Sequence, residues 1–128
     1  MINVTCAIIV NADKQIFVAQ RGPTMALPLK WELPGGKIEP SESEEDCLIR
    51  EIKEELSIDI KIIKSLSANI HNYPKISIKL IPFICELIGG KIELKEHVQF
   101  KWLKKTELLD LDWAEADIPI VKNYIKSK

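Results

Sequence analysis

Three glutamates, Glu51, Glu54 and Glu55, stand in the segment Arg50-Glu51-Ile52-Lys53-Glu54-Glu55 at spacings of three and four residues. On an α-helix those spacings put all three carboxylates on one face, within reach of a common point. Like charges so placed repel by roughly a few tenths of a kcal/mol per pair, and a cation between them removes that cost. Hard divalent ions take oxygen ligands of this kind, magnesium above all and manganese as the alternative. Acidic runs on helices are ordinarily solvated faces, and Glu42, Glu44, Glu45 and Asp46 equally suit a helix N-terminus. Two neighbours favour a site. Gly35-Gly36 puts bare backbone just ahead of the same helix, with carbonyls and amides open to a ligand. Arg50 is one of two arginines beside sixteen lysines, and a guanidinium grips carboxylates in a two-pronged contact that an ammonium cannot make.

The elements that position this face follow from hydrophobic periodicity. The helix is expected to begin at Ser43, whose hydroxyl caps the first turn while Asp46 reaches back, and to run to about Leu56. Leu48, Ile52 and Leu56 form its buried stripe, with Cys47 and Ile49 flanking. Residues 2–10 and 15–20 are β-branched runs around the turn-forming Asn11-Ala12-Asp13-Lys14 and read as a first pair of strands. Residues 21–40 hold three prolines before Gly35-Gly36 and read as a shaped loop. Strands are expected over 60–67, 76–87, 91–94 and 99–103, with Gly89-Gly90 as a hairpin turn. A second helix closes the chain, with Pro119 near its start, Ile118, Val121 and Ile125 at helical spacing, and lysines at its end.

The 128 residues suit one domain over 1–128, which buries roughly two thirds of the surface its unfolded chain exposes. With 18 basic residues offset by 19 acidic ones, the chain lacks the basic surplus that grips polymeric nucleic acid. Cys6, Cys47 and Cys85 lie far apart in apolar runs and read as reduced core residues, which points to the cytoplasm. The opening MINVTCAIIV carries no positive n-region, so neither a signal peptide nor a membrane span is expected. A monomer or a homodimer is equally compatible with these features.

The run from Gly36 through Glu42 to Arg50-Glu51-Ile52-Lys53-Glu54-Glu55-Leu56-Ser57-Ile58 resembles the Nudix box, the signature of hydrolases acting on nucleoside diphosphates linked to another group. Its spacing is matched throughout, with Ser57 standing where that family usually has glycine. The opening strand, Ala19-Gln20-Arg21, Trp31-Glu32-Leu33-Pro34-Gly35-Gly36-Lys37 and Ala116-Asp117-Ile118-Pro119 are similar to the MutT-type branch, which includes CTP pyrophosphohydrolases. The resemblance implies an α/β fold, an α/β/α sandwich around a mixed central sheet. It implies a magnesium-dependent pyrophosphohydrolase that takes a nucleoside triphosphate, of 8-oxo-dGTP or CTP/dCTP type, to the monophosphate and pyrophosphate. It also implies the Gly36 carbonyl, Glu51 and Glu55 as principal metal ligands, Glu54 and Glu96 completing the site, and Glu42 supporting the turn or Arg50. Hydrolysis of a nucleotide sugar or dinucleotide, or a non-catalytic nucleotide-binding module, are the alternatives.

A second tier of residues is expected around that face. Arg21 follows a strand and suits phosphate oxygens, with Lys37 assisting. Glu32 reads as a loop organiser. An apolar slot near Tyr73 and Ile78 would take the base, with Asp117 as a polar contact, although Asp117 also suits a helix N-cap. An ionised aspartate only accepts hydrogen bonds, which favours an amino edge such as that of cytosine. Glu51 and Glu96 are both candidate general bases. His71 and His97 lack metal-like spacing and read as surface or loop residues, and Trp31 is expected at the border of the cleft.

Overall fold

Strand β1 (Ile2–Val10) sets the architecture, because both of its faces are buried. Ala7 and Ile9 pack on one side and Cys6 and Ile8 on the other, and a strand apolar on both faces must be covered on both. In the computed structural model, which describes residues 1–127, each face receives one helix. Helix α1 (Glu44–Leu56) lays Leu48, Ile52 and Leu56 against Ala7, Ile9, Phe17 and Ala19. Helix α2 (Ile118–Lys126) lays Ile120, Val121 and Tyr124 with Cys6, Ile8, Ile16 and Val18. The result is the expected α/β/α sandwich. Cys6, Cys47 and Cys85 are buried free thiols, and none of the described helices is long and apolar enough to cross a membrane.

The sheet is mixed. The remaining strands are β2 (Ile16–Gln20), β3 (Trp31–Glu32), β4 (Gly35–Lys37), β5 (Ile58–Ser65), β6 (Asn69–Asn72), β7 (Ser77–Gly90) and β8 (Gln99–Leu103). Parallel pairing of β1 with β7 runs from Ile2↔Ile78 to Val10↔Glu86, while β5 and β6 pair antiparallel to β7. The other edge of β1 is shared: β2 meets it at Val10↔Ile16, and β4 occupies it from Val4↔Lys37 to Cys6↔Gly35. Strand β2 in turn pairs with β3 and β8.

Several expectations are corrected by this pairing. The first two strands touch at a single register, because β4 takes the place a hairpin partner would fill. Segment 21–40 contains β3 and β4, two- and three-residue pairings imposed by tertiary contacts that no periodicity announces. Gly89 and Gly90 make no hairpin turn; they continue β7 opposite Asp59 and Ile58, with Gly90 at φ 88 where a side chain would be strained. Residues 91–94 form no strand. Strand β6, Asn-Ile-His-Asn, is too polar to have been read as one, and Ile49 is exposed rather than flanking the core.

The caps of α1 are as its sequence requires at one end and strained at the other. Ser43 Oγ accepts from the Asp46 N–H at 3.0 Å. Ser57 ends the helix at φ 60, ψ 28, the left-handed conformation that favours glycine. Ser57→Gly is therefore expected to raise stability by up to about 1 kcal/mol. The measurement is the urea midpoint at constant m, and hydrolytic activity should stay unchanged.

Candidate active site

The glutamate face of α1 lies against β4, and contact there is close. A Cβ on Gly36 would come within 2.3 Å of the Glu51 carboxylate, so only glycine lets the strand and that side chain approach each other. The Gly36 carbonyl accepts from Thr5 Oγ1 at 3.2 Å, and Thr5 is itself fully buried beneath it. Arg50 knits the box together. Its Nε and Nη2 grip Glu42 Oε2 and Oε1 at 2.6 and 2.9 Å, and its Nη1 reaches Glu51 Oε1 at 2.9 Å and Glu54 Oε2 at 3.2 Å. Glu42 Oε1 also accepts from the Glu39 N–H at 3.0 Å, so this carboxylate serves both the turn and the arginine. That hydrogen-bonded grip holds the Glu42 carboxyl down at about 2.

Glu55 has the opposite environment. Burial pushes its carboxyl up to about 8, and its Oε1 is buried with no hydrogen-bond partner among the described residues. Burial also raises Glu51, with Arg50 opposing. Among the described residues, no three acidic, histidine or cysteine side chains converge at ligand distance on one point; Arg50 Nη1 contacts Glu51 and Glu54 and serves as their counter-ion.

Glu51, Glu54, Glu55, Glu96 and His97 line one small cavity of about 210 Å³, together with Lys95. Beside it lies a cleft of about 730 Å³ whose walls include Arg21, Lys37, Tyr73, Ile78 and Asp117. Glu55 lines both, so the acidic cavity and the cleft meet at this residue. Every residue expected at the site is thus brought to one of these two spaces, except Arg50, which stands behind Glu51 and holds it. Tyr73 is fixed by accepting the Ala116 N–H on its hydroxyl at 3.1 Å. Its edge-on aromatic partner within the chain is His71, at 4.4 Å between centroids.

Three readings change. Asp117 occupies the N-cap position of α2 but makes no side-chain cap; its Oδ2 accepts from the Leu33 N–H at 2.8 Å, 84 residues away. Burial pushes its carboxyl up to about 8, so at neutral pH it is protonated and can donate as well as accept. The acceptor-only argument for cytosine fails on that ground. Trp31 packs in the core on the α2 face rather than bordering the cleft. His97 is no surface residue: its side chain is 1% exposed and its Nε2 pairs with Glu32 Oε2 at 2.7 Å. The only signal for it in the chain is adjacency to Glu96, and within Lys95-Glu96-His97 a histidine reads as solvated.

The Asp117 shift makes a stability prediction. Its pKa is raised on folding from an unfolded value near 3.9, so its contribution is fully present below about pH 4 and is lost as pH rises through about 8. Between pH 5 and 9 the melting temperature of the wild type should fall more steeply than that of Asp117→Asn, whose neutral amide keeps the acceptor for Leu33. Parallel curves would refute the shift.

Comparison with known proteins gives the same direction. A model of the NUDIX domain matches residues 1–124. The CTP pyrophosphohydrolase of Escherichia coli (strain K12) is 32% identical over 125 residues, covering 98% of this chain and 92% of that protein. The 8-oxo-dGTP diphosphatase of the same strain is 28% identical over 120 residues, covering 94% and 93%. Among solved structures, the DNA mismatch repair protein MutT (family Nudix hydrolase) of methicillin-resistant Staphylococcus aureus 252 is 43% identical. That match covers 97% of this chain and 95% of that one at a TM-score of 0.77. With the box residues gathered on one helix face and the family match spanning nearly the whole chain, this protein belongs to the Nudix hydrolase family.

Proposed function

We propose that the chain is a magnesium-dependent nucleoside triphosphate pyrophosphohydrolase. Nudix hydrolases generally use divalent metal ions, and the donor set here suits a hard one: carboxylate and carbonyl oxygens, including a buried Glu55 oxygen with no hydrogen-bond partner among the described residues. The Gly36 carbonyl, Glu51 and Glu55 would hold it, with Glu54 and Glu96 completing the set. Bound there, such ions neutralise phosphate charge and lower the pKa of a water. The observation that carries the reading is that Glu55 lines both the acidic cavity and the large cleft. A triphosphate lying across that junction would have its base in the cleft and its phosphates beside the carboxylates.

The chain's own residues divide the remaining work. Arg21 and Lys37 supply positive charge to the phosphate oxygens at the cleft wall. Arg50 keeps Glu51 and Glu42 in place. Glu51 or Glu96 accepts the proton of the attacking water. Water attacks the β-phosphorus, the bond from that phosphorus to the oxygen bridging to the α-phosphate breaks, and pyrophosphate and the nucleoside monophosphate leave. Tyr73 and Ile78 offer the base an apolar slot, and a protonated Asp117 offers it a donor and an acceptor together. That pairing suits the N3 and amino group of cytosine and equally the N7–H and O6 of an oxidised guanine.

The test is hydrolysis with magnesium, read as pyrophosphate release from 8-oxo-dGTP, dGTP, CTP and dCTP and as release of UMP and glucose 1-phosphate from UDP-glucose. Release from a triphosphate is expected, and the ranking of the first four identifies the base. Cleavage of UDP-glucose alone, or of none, would overturn the proposal.

A further inference from the structure

Glu32 of β3 stands between two cationic or hydrogen-bonding partners. Its Oε1 accepts from Arg21 Nη1 at 2.6 Å, and its Oε2 pairs with His97 Nε2 at 2.7 Å. Sheet pairing brings the three together. Strand β2 pairs with β3 at Ala19↔Glu32 and with β8 at Gln20↔Gln99, so the segment entering β8 runs beside the end of β2. The Val98 N–H donates to the Gln20 carbonyl at 3.0 Å. Gly22 packs so closely on the Glu96 carbonyl that a Cβ there would come within 2.9 Å of it. Arg21 faces the cleft, while Glu96 and His97 face the acidic cavity.

A carboxylate 16% exposed and an imidazole 1% exposed are costly to bury, and apolar residues of similar volume commonly give equal or better stability at such sites. The arrangement therefore calls for a reason beyond packing. Among the described residues, His97 Nδ1 is also buried without a hydrogen-bond partner, as is Glu55 Oε1, and both residues line the same small cavity. The imidazole thus joins Glu32 at Nε2, keeps Nδ1 buried, and belongs to the residue that lines the small cavity next to Glu96.

We propose that Glu32 and His97 are positioning residues that set Arg21 and Glu96, from the two ends of one hydrogen-bonded chain, against the same substrate. This inference rests on the pyrophosphohydrolase reading. Arg21 is held at the phosphate side of the cleft by Glu32. Glu96 is held at the acidic cavity because its neighbour His97 is anchored to that same carboxylate.

The experiment compares the wild type with His97→Ala, His97→Gln, Glu32→Gln, Arg21→Ala and the His97→Ala/Arg21→Ala double variant. The readouts are kcat, KM and the affinity for a non-hydrolysable α,β-methylene nucleoside triphosphate in magnesium. His97→Ala should lower kcat by about 10- to 100-fold, the range typical of lost outer-shell partners, and should weaken analogue binding as Arg21→Ala does. His97→Gln, whose amide nitrogen can reach the same Glu32 oxygen, should recover most of both. The double variant should lose less than the product of the single losses, by about threefold or more, because the chain is broken only once. Glu32→Gln keeps the shape while weakening both ends, and covers the case in which His97→Ala fails to fold. Multiplicative losses, no recovery with glutamine, or altered melting temperature with kcat and KM unchanged would overturn the chain. Those outcomes leave wild-type pyrophosphate release intact, whereas its absence overturns the hydrolase reading and this inference with it.

Discussion

Glu55→Gln is expected to lower pyrophosphate release by about 10³-fold while leaving the fold intact. Metal ions contribute several kcal/mol of charge stabilisation in such reactions, and each 1.36 kcal/mol is tenfold in rate. The neutral amide keeps the volume of a side chain packed between the cavity and the cleft, but it cannot supply the carboxylate charge that a bound cation would draw out, beside an oxygen with no hydrogen-bond partner among the described residues. Stability should move the other way. Burial raises the Glu55 carboxyl to about 8, so in chelating buffer the wild type loses the contribution of the neutral form as pH rises through that value. Above pH 8 the glutamine variant should melt at the same temperature as the wild type or higher. Magnesium should reverse the order, because an ion that binds only the folded wild type raises its melting temperature. A variant that retains a tenth of the activity would remove Glu55 from the metal site.

Arg50→Ala is expected to cost about 10²-fold in rate, at the upper end of what outer-shell partners contribute, and Arg50→Lys should not restore it. The guanidinium makes a two-pronged contact to Glu42 and single contacts to Glu51 and Glu54, and its Nη2 also reaches the Lys37 carbonyl at 3.3 Å. A lysine has one nitrogen for these four partners and no planar fork. Without the arginine, Glu42, Glu51 and Glu54 face one another with no counter-ion, and the turn carrying Gly36 loses its tie to α1. The melting temperature should fall in chelating buffer and recover in part with magnesium, since a cation then substitutes for the guanidinium. The checks are steady-state rates and thermal melts of the three proteins with and without magnesium. A lysine variant with wild-type kcat would show that charge alone suffices.

Much of the site is local and therefore legible from the chain itself. The three glutamates share a face because a helix repeats every 3.6 residues, and α1 begins and ends within a residue of where Ser43 and Leu56 place it. Arg50 acts on carboxylates one, four and eight positions away, so its role follows from the same segment. Gly36 belongs with these, since a bare Cα ahead of an acidic helix marks a close approach. The mixed sheet between two helices also follows, because β1 is apolar on both faces and α1 and α2 each carry a single apolar stripe.

What the chain could not announce are the contacts made across long separations. Strands β3 and β4 are too short for any periodicity and exist because β1 and β2 offer them edges. Gly89 and Gly90 have the composition of a turn, yet pairing with β5 keeps them in strand. Asp117 has the position of a helix cap, but Leu33 claims its carboxyl, and burial there changes its protonation and hence what it can recognise. His97 and Glu32 are 65 residues apart and meet only because β2 lies between their elements. By itself, then, the sequence determined the shared face of the candidate metal-ligating glutamates and the layered fold, because both arise from residue types at fixed local spacing. Only the tertiary structure decided which polar groups are buried together, because burial sets charge state and hydrogen-bonding role, and burial is a property of the packed sheet rather than of any segment.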